Sequence, residues 1–242
     1  PFINNHPDFY MKALREIFDF RKRYLNLDTK VVEVIWHGGE PMLLGPSFYE
    51  NISYLLEKTF SEVKFYHSMQ TNLLLYDSSW RNIFSSIFEW RVGTSYDFFS
   101  TIRPYGVEKF LSILKRFQDD SGFPGYVICV LSDENYLRVL EICHLANNEG
   151  FDLRLNYLYQ VGSARKLSFF SPEKYEKALV EVVRSRNQFS KVKIDPIDFF
   201  LEFFEGRRKI LPCPYTADCG KTIFAVYPNG SIYNCAELAD IN

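Results

Sequence analysis

The chain has 242 residues, of which 47% are hydrophobic and 24% charged, with a formal net charge of -2. That balance describes a globular chain rather than a disordered tail, and it excludes the overall positive field that sequence-independent grip on a nucleic acid requires. The longest apolar runs fall far below the roughly 20 residues of a membrane span, so neither nucleic acid nor a bilayer is expected as a partner.

Tyr10, Leu14, Ile17 and Phe18 recur at helical spacing, and the short β-branched stretch 31–35 that follows predicts a strand. The same pairing repeats along the chain. Phe48, Ile52 and Leu55 mark a helix and 63–69 a strand; Trp80, Ile83, Phe84 and Ile87 mark a helix and 90–95 a strand. Val107, Phe110, Leu111 and Leu114 share one helical face before the apolar strand 126–131, and 135–149 reads as a helix stopped by Gly150. A fifth strand is expected over 153–159. Ser171 and Pro172 then supply an N-cap and a first-turn proline for a helix to about Arg186, built on Tyr175, Leu179, Val182 and Val183.

Such alternation implies an α/β fold with a parallel sheet, whose ligands bind at the C-terminal strand ends. Polar and small residues gather at those ends: Gly38, Gly39 and Glu40; Thr71 and Asn72; Ser95 and Asp97; Ser132 and Asn135. After residue 190 the pattern changes to a Phe-rich helix (Phe199, Phe200, Phe203, Phe204) and a cysteine-bearing hairpin, so domains 1–190 and 191–242 are expected. The chain opens on Pro1 without a signal-peptide pattern and reads as part of a longer one. An aromatic content of 17% implies heavy core packing or a pocket for a peptide.

Trp36-His37-Gly38-Gly39-Glu40-Pro41 ends a predicted strand. Paired glycines let a backbone approach a ligand closely, and a carboxylate beside that opening can accept charge-assisted hydrogen bonds from an ammonium group; a simple turn is the alternative. His37 and His67 read as satisfied polar residues, because no Ser-His-Asp or His-Cys constellation accompanies them. Arg103 reads as a solvated charge that could meet a carboxylate. Lys64, Lys191 and Lys193 read as surface.

Five cysteines are present, three of them (Cys213, Cys219, Cys235) within the last 30 residues. Clustered thiols suit an iron-sulfur cluster or zinc, and spacing does not choose between them; a disulfide is the alternative. Asn229-Gly230 predicts a two-residue hairpin turn that would set Cys235 opposite Phe224. Cys129 and Cys143 lie in apolar surroundings and read as core. Unpaired thiols suggest a reducing, cytoplasmic setting.

Taken together, "WHGGEPMLLG", "MQTN" and "VGTSYD" at three successive strand ends and a late C-x5-CG-x9-G-x4-C run resemble radical S-adenosylmethionine enzymes carrying a SPASM domain. The resemblance spans nearly the whole chain. It implies a partial (β/α)6 barrel, with the five predicted strands preceded by one missing at the front. It also implies that Gly38, Gly39, Glu40 and Pro41 hold the amino group of the cofactor's methionine moiety, that Asn72, Ser95 and Asp97 stand at motif positions around the cofactor, and that Cys213, Cys219 and Cys235 are ligands of an auxiliary [4Fe-4S] cluster.

The family's CxxxCxxC loop, whose thiolates hold the reactive cluster, has no counterpart before Cys129. Truncation ahead of Pro1 is the favoured account, and these residues by themselves are expected not to cleave S-adenosylmethionine. The implied reaction is hydrogen abstraction from a ribosomally made peptide or protein by a 5'-deoxyadenosyl radical, fed by a reducing electron donor. Sulfatase-maturating members carry an aspartate directly after the cysteine matching Cys235, where this chain has Ala236. Thioether, carbon-carbon or epimerising chemistry therefore ranks above formylglycine formation. A peptide-binding module that has lost its cluster is the reading from another class.

Overall fold

The computed structural model describes residues 6–160, 162–209 and 219–235. Six strands, β1 (Val31–Trp36), β2 (Lys64–Thr71), β3 (Val92–Ser95), β4 (Tyr126–Leu131), β5 (Asp152–Tyr157) and β6 (Ile194–Asp195), make one sheet in chain order. The pairings of β1 with β2, β3 with β4, β4 with β5 and β5 with β6 are all parallel. The connecting helices are α1 (Pro7–Leu25), α2 (Pro46–Thr59), α3 (Ser78–Ser86), α4 (Val107–Ser121), α5 (Val139–Glu149), α6 (Pro172–Ser185) and α7 (Ile197–Phe204). This is the α/β alternation that the hydrophobic spacing predicts. Strand β6 is the addition: two residues are too few for any periodic signal, and β6 lies past residue 190, where the sequence pattern had changed. None of the described helices is long and apolar enough to cross a membrane.

The chain forms two compact units, Pro1–Gln70 with Asp77–Arg91 and Cys213–Asn242, and Thr71–Tyr76 with Val92–Pro212. In the first, Tyr49, Ile52 and Leu56 share one face of α2 and are fully buried, the i, i+3, i+7 stripe of a core-facing helix. Tyr49 meets the rings of Trp36, Trp80 and Phe88 at 5.2, 5.6 and 5.4 Å. Much of the aromatic content is thus core, each such side chain contributing roughly 1.5–3 kcal/mol by burial. Trp90, expected to open the third strand, instead lies in a turn: Glu89 and Trp90 have φ of 48° and 59°, and the chain enters β3 only at Val92 because it must first reverse after α3.

In the second unit Phe110, Ile113, Leu114 and Phe117 of α4 and Val139, Ile142, Cys143 and Ala146 of α5 are buried. Helix α5 starts at Val139, after a 3-10 turn, and not at Asn135, whose side chain is drawn into the interior. Val182 of α6 is buried as expected, whereas Val183, also expected in the core, is exposed and Ala178 is buried in its stead. Strands β4 and β5 alternate: Val127, Cys129, Leu131, Leu153 and Leu155 are buried, whereas Tyr126, Ile128, Val130, Arg154 and Asn156 are half-buried. Parallel sheets are ordinarily apolar on both faces. Here the second face of β4 and β5 carries polar side chains, including Tyr126, whose hydroxyl donates to Asp195 at 3.0 Å, and Arg154, which donates to Asn156 at 2.9 Å.

The late hairpin pairs β7 (Ala225–Val226) with β8 (Ile232–Tyr233), Ala225 opposite Tyr233. Its register corrects the predicted one, since extending it places Cys235 opposite Ile223 and not Phe224. Pro228 has no N–H to pair across a two-residue Asn-Gly turn, and its fixed negative φ suits the first central position of a wider one, so the turn runs over Pro228 and Asn229, with the Gly230 N–H donating to the Tyr227 carbonyl at 2.9 Å and Gly230 left-handed at φ 88°.

Candidate functional site

Where β1 ends, the chain turns through Gly38 and Gly39 at φ 92° and 56°. A Cβ built on either would have nothing within 4 Å. Glycine is required there by the backbone and not by crowding, and the space beside both residues is open. The turn is anchored on its far side. Glu40 Oε1 accepts from the Met42 N–H at 3.1 Å, capping the 3-10 turn Pro41–Leu44, and the Pro41 carbonyl accepts from the buried Tyr49 hydroxyl at 2.8 Å. Burial and the nearby Tyr10 and Glu40 raise the Tyr49 pKa, so it remains a donor. Half-buried Glu40 therefore spends one carboxylate oxygen on its own loop.

Trp36, the residue that leads into this turn, is fixed by His67 of β2. The indole Nε1–H donates to His67 Nδ1 at 3.1 Å and the two rings lie nearly parallel. Accepting at Nδ1 requires a neutral imidazole, in keeping with burial lowering the His67 pKa to about 4. His67 is the satisfied core histidine that the sequence predicts; His37 is exposed.

In the second unit Asn72 follows β2 and its Oδ1 accepts from the Leu74 N–H at 2.8 Å, shaping the turn. Ser95 and Asp97 are brought together by Arg103, whose Nε donates to Asp97 Oδ2 at 2.8 Å and whose Nη2 donates to Ser95 Oγ at 3.1 Å. Asp97 Oδ1 accepts from the Val130 N–H at 3.0 Å, so the buried carboxylate stitches the end of β3 to β4. Arg103 is accordingly an ion-paired positioning group and not the solvated charge expected of it. Asn135 completes this rim: its Nδ2 donates to the Phe98 and Val130 carbonyls at 3.0 and 3.1 Å, and its Oδ1 accepts from the Ser132 N–H at 2.9 Å. Arg103 folds back onto the end of the strand it follows, and Asn135 onto its own loop, with only the Phe98 carbonyl coming from another strand end.

Cys213 lies outside the described residues, and Cys219 opens the short helix α8 (Cys219–Thr222), of whose first side chain nothing is described. Cys235, two residues past β8, is a half-buried free thiol. Among the described residues no group of three His, Cys, Asp or Glu is placed to hold a metal ion. Cys129 and Cys143 are buried free thiols, as expected.

A parallel α/β scaffold whose candidate site residues stand at the strand ends is the class these features define. Solved structures share the fold: native anSMEcpe with bound AdoMet and Kp18Cys peptide, at TM-score 0.65 and 23% identity over 91% of this chain and 65% of that one, and Streptococcus suis SuiB, at TM-score 0.62 and 15% identity over 98% of this chain and 55% of that one. By sequence the chain is similar to the cysteine-type anaerobic sulfatase-maturating enzymes of two Clostridium perfringens strains, each 25% identical over 240 residues, covering 88% of this chain and 62% of the relative. The chain thus spans less than two thirds of the length of these curated relatives. No protein-family model matches it.

Proposed function

We propose that this chain is the S-adenosylmethionine-binding barrel portion of a radical maturase that modifies a ribosomally made peptide or protein, working in the cytoplasm with a reducing electron donor. The observation that carries the reading is the anchored Gly38-Gly39 turn, left-handed at both residues and open beside both, followed by Glu40 at the ligand end of a parallel strand. The likeness to enzymes whose names state sulfatase maturation supports it. Gly38 and Gly39 would admit the methionine end of the cofactor against bare backbone, Glu40 would accept from its ammonium group, and Pro41 would hold the turn through Tyr49. Asn72, Ser95 and Asp97 would shape the rim of the second unit, with Arg103 oriented by the latter two. Bound S-adenosylmethionine, with a [4Fe-4S] cluster, supplies the radical that abstracts a hydrogen atom from the peptide. Residues 191–242 are read as the start of a SPASM-like domain, with Cys213, Cys219 and Cys235 as auxiliary-cluster ligands.

Titration of the purified chain with S-adenosylmethionine by isothermal calorimetry tests the reading. Binding is expected, and Gly39→Val, whose Cβ would enter the open space and strain a left-handed residue, should weaken it at least tenfold. No binding, or equal binding by Gly39→Val, overturns it. The names of the curated relatives favour a second reading, formylglycine formation on a sulfatase, and Ala236 speaks against it. A product that reacts with a hydrazide probe, made by the cluster-loaded enzyme, would mark the second reading; a peptide that loses hydrogen without gaining an aldehyde would mark a crosslink.

A further inference from the structure

Between β3 and α4 one loop carries both Asp97 and Arg103, and it is held at three places within the second unit. At its start the Phe98 carbonyl accepts from Asn135 Nδ2 at 3.0 Å, and at its end the Tyr105 carbonyl accepts from the Tyr96 hydroxyl at 2.9 Å. Both donors are buried. The middle is held by Glu134, on the loop after β4, whose Oε2 accepts from the Thr101 N–H at 2.6 Å and whose two carboxylate oxygens each lie 3.1 Å from the Thr101 hydroxyl. These donors, the N–H foremost, lower the Glu134 pKa and keep it an acceptor at neutral pH.

The stretch between the first two anchors is not relaxed. Phe99 is left-handed at φ 57°, a conformation unfavourable for a residue with a Cβ and kept only where its surroundings impose it. Those surroundings come from the same loop as Glu134: the Arg138 guanidinium carbon lies 3.4 Å from the Phe99 ring centroid, and Arg138 is itself held by Glu141 through hydrogen bonds of 2.9 and 2.7 Å. Asp133, the acid next to Glu134, is engaged elsewhere by Lys174 Nζ at 2.5 Å. Thr101 stands two residues before Arg103, whose Nε and Nη2 meet Asp97 and Ser95 and whose side chain keeps 24% exposure. A ligand at this rim therefore meets a guanidinium whose position the loop sets.

We propose that Glu134 is a positioning residue of the candidate site: by pinning Thr101 it holds Arg103 against Ser95 and Asp97. Of the three anchors it is the exposed one, so it sets the loop without carrying the core. That the rim receives S-adenosylmethionine rests on the proposed function; the pinning of Arg103 does not.

Two measurements on Glu134→Ala, Glu134→Gln and Arg103→Lys test it. Phenylglyoxal labelling of Arg103, followed by mass spectrometry without S-adenosylmethionine, should be at least threefold faster in Glu134→Ala. Glu134→Gln should stay within twofold of the wild type, because its amide oxygen still accepts from the Thr101 N–H. In calorimetric titration with S-adenosylmethionine, Glu134→Ala should weaken binding at least threefold and Glu134→Gln should restore it. In an Arg103→Lys background Glu134→Ala should add no further loss, since its effect passes through Arg103. Thermal unfolding of Glu134→Ala should match the wild type, because the side chain is exposed. If that variant fails to fold, Glu134→Asp, one methylene short of Thr101, is read instead and should label at least twofold faster. Unchanged labelling of Arg103 in the folded variants, or an equal further loss in the Arg103→Lys background, overturns the proposal. A chain that does not bind S-adenosylmethionine but whose labelling responds would refute the proposed function and leave the pin standing; wild-type affinity in Glu134→Ala would refute the positioning role alone.

Discussion

Acidification should loosen the first unit at one identifiable point. His67 accepts the Trp36 indole N–H at Nδ1 and is buried among Trp36 and Phe88. Protonation would place a hydrogen on Nδ1, break that bond and charge a ring with no room for water. The unfolded chain, by contrast, binds the proton at an ordinary histidine pKa near 6.5, whereas burial holds the folded pKa at about 4. Between those two values the unfolded state carries more protons than the folded one, so stability rises with pH and is lost as pH falls through that window. Each pH step inside it is worth up to about 1.4 kcal/mol, giving a full loss of about 3 kcal/mol for this one group. Below pH 4 both states are protonated and His67 adds nothing further.

Two measurements check this. Carbon-13 or nitrogen-15 NMR of labelled His67 should show a neutral ring at pH 5.5 with Nδ1 unprotonated. Thermal unfolding from pH 7 to pH 4.5 should fall more steeply in the wild type than in His67→Gln, whose amide can still accept from Trp36 but has no such titration. A His67 that titrates near 6.5, or a variant whose pH profile matches the wild type, would refute the reasoning. Because Trp36 leads into the Gly38-Gly39 turn, loss of the Trp36–His67 bond should also weaken S-adenosylmethionine binding at acid pH, if that turn receives it.

Asp97→Ala should destabilise the second unit by about 2–4 kcal/mol, since it leaves the Val130 N–H and the partly exposed Arg103 without their acceptor; the value is set below that of a fully buried pair because Arg103 retains some solvent. Urea unfolding checks it, and an unmoved midpoint would show the pair to be dispensable. Asn135→Leu removes three hydrogen bonds from a fully buried side chain, and a loss of about 3 kcal/mol or more is expected, read as faster hydrogen exchange at Ser132; wild-type exchange there would count against it. Burial pushes the Cys143 thiol up to about 12 and the Cys129 thiol higher still, so neither should react with Ellman's reagent at pH 8 until denaturant is added, and prompt labelling of either by mass spectrometry would contradict their burial.

The alternation of elements and the residues at the strand ends were legible in the sequence, because hydrophobic spacing and capping residues are local signals set within a turn or two of chain; the buried face of a helix was legible only to within a residue, α2 burying Tyr49 and Leu56 where Phe48 and Leu55 were expected. The Gly38-Gly39-Glu40 turn belongs to the same class, its need for left-handed backbone being written in the glycines themselves. Strand β6 was not legible, since two residues carry no period and only the parallel partner β5 makes them a strand. Nor was the hairpin register, where Pro228 displaced the expected turn by one residue. The Asp97 contact with Val130, the Trp36–His67 bond and the Asn135 contact with Phe98 were decided by tertiary structure: the partners stand 33, 31 and 37 residues apart and meet only because the strand register carries them to hydrogen-bond distance.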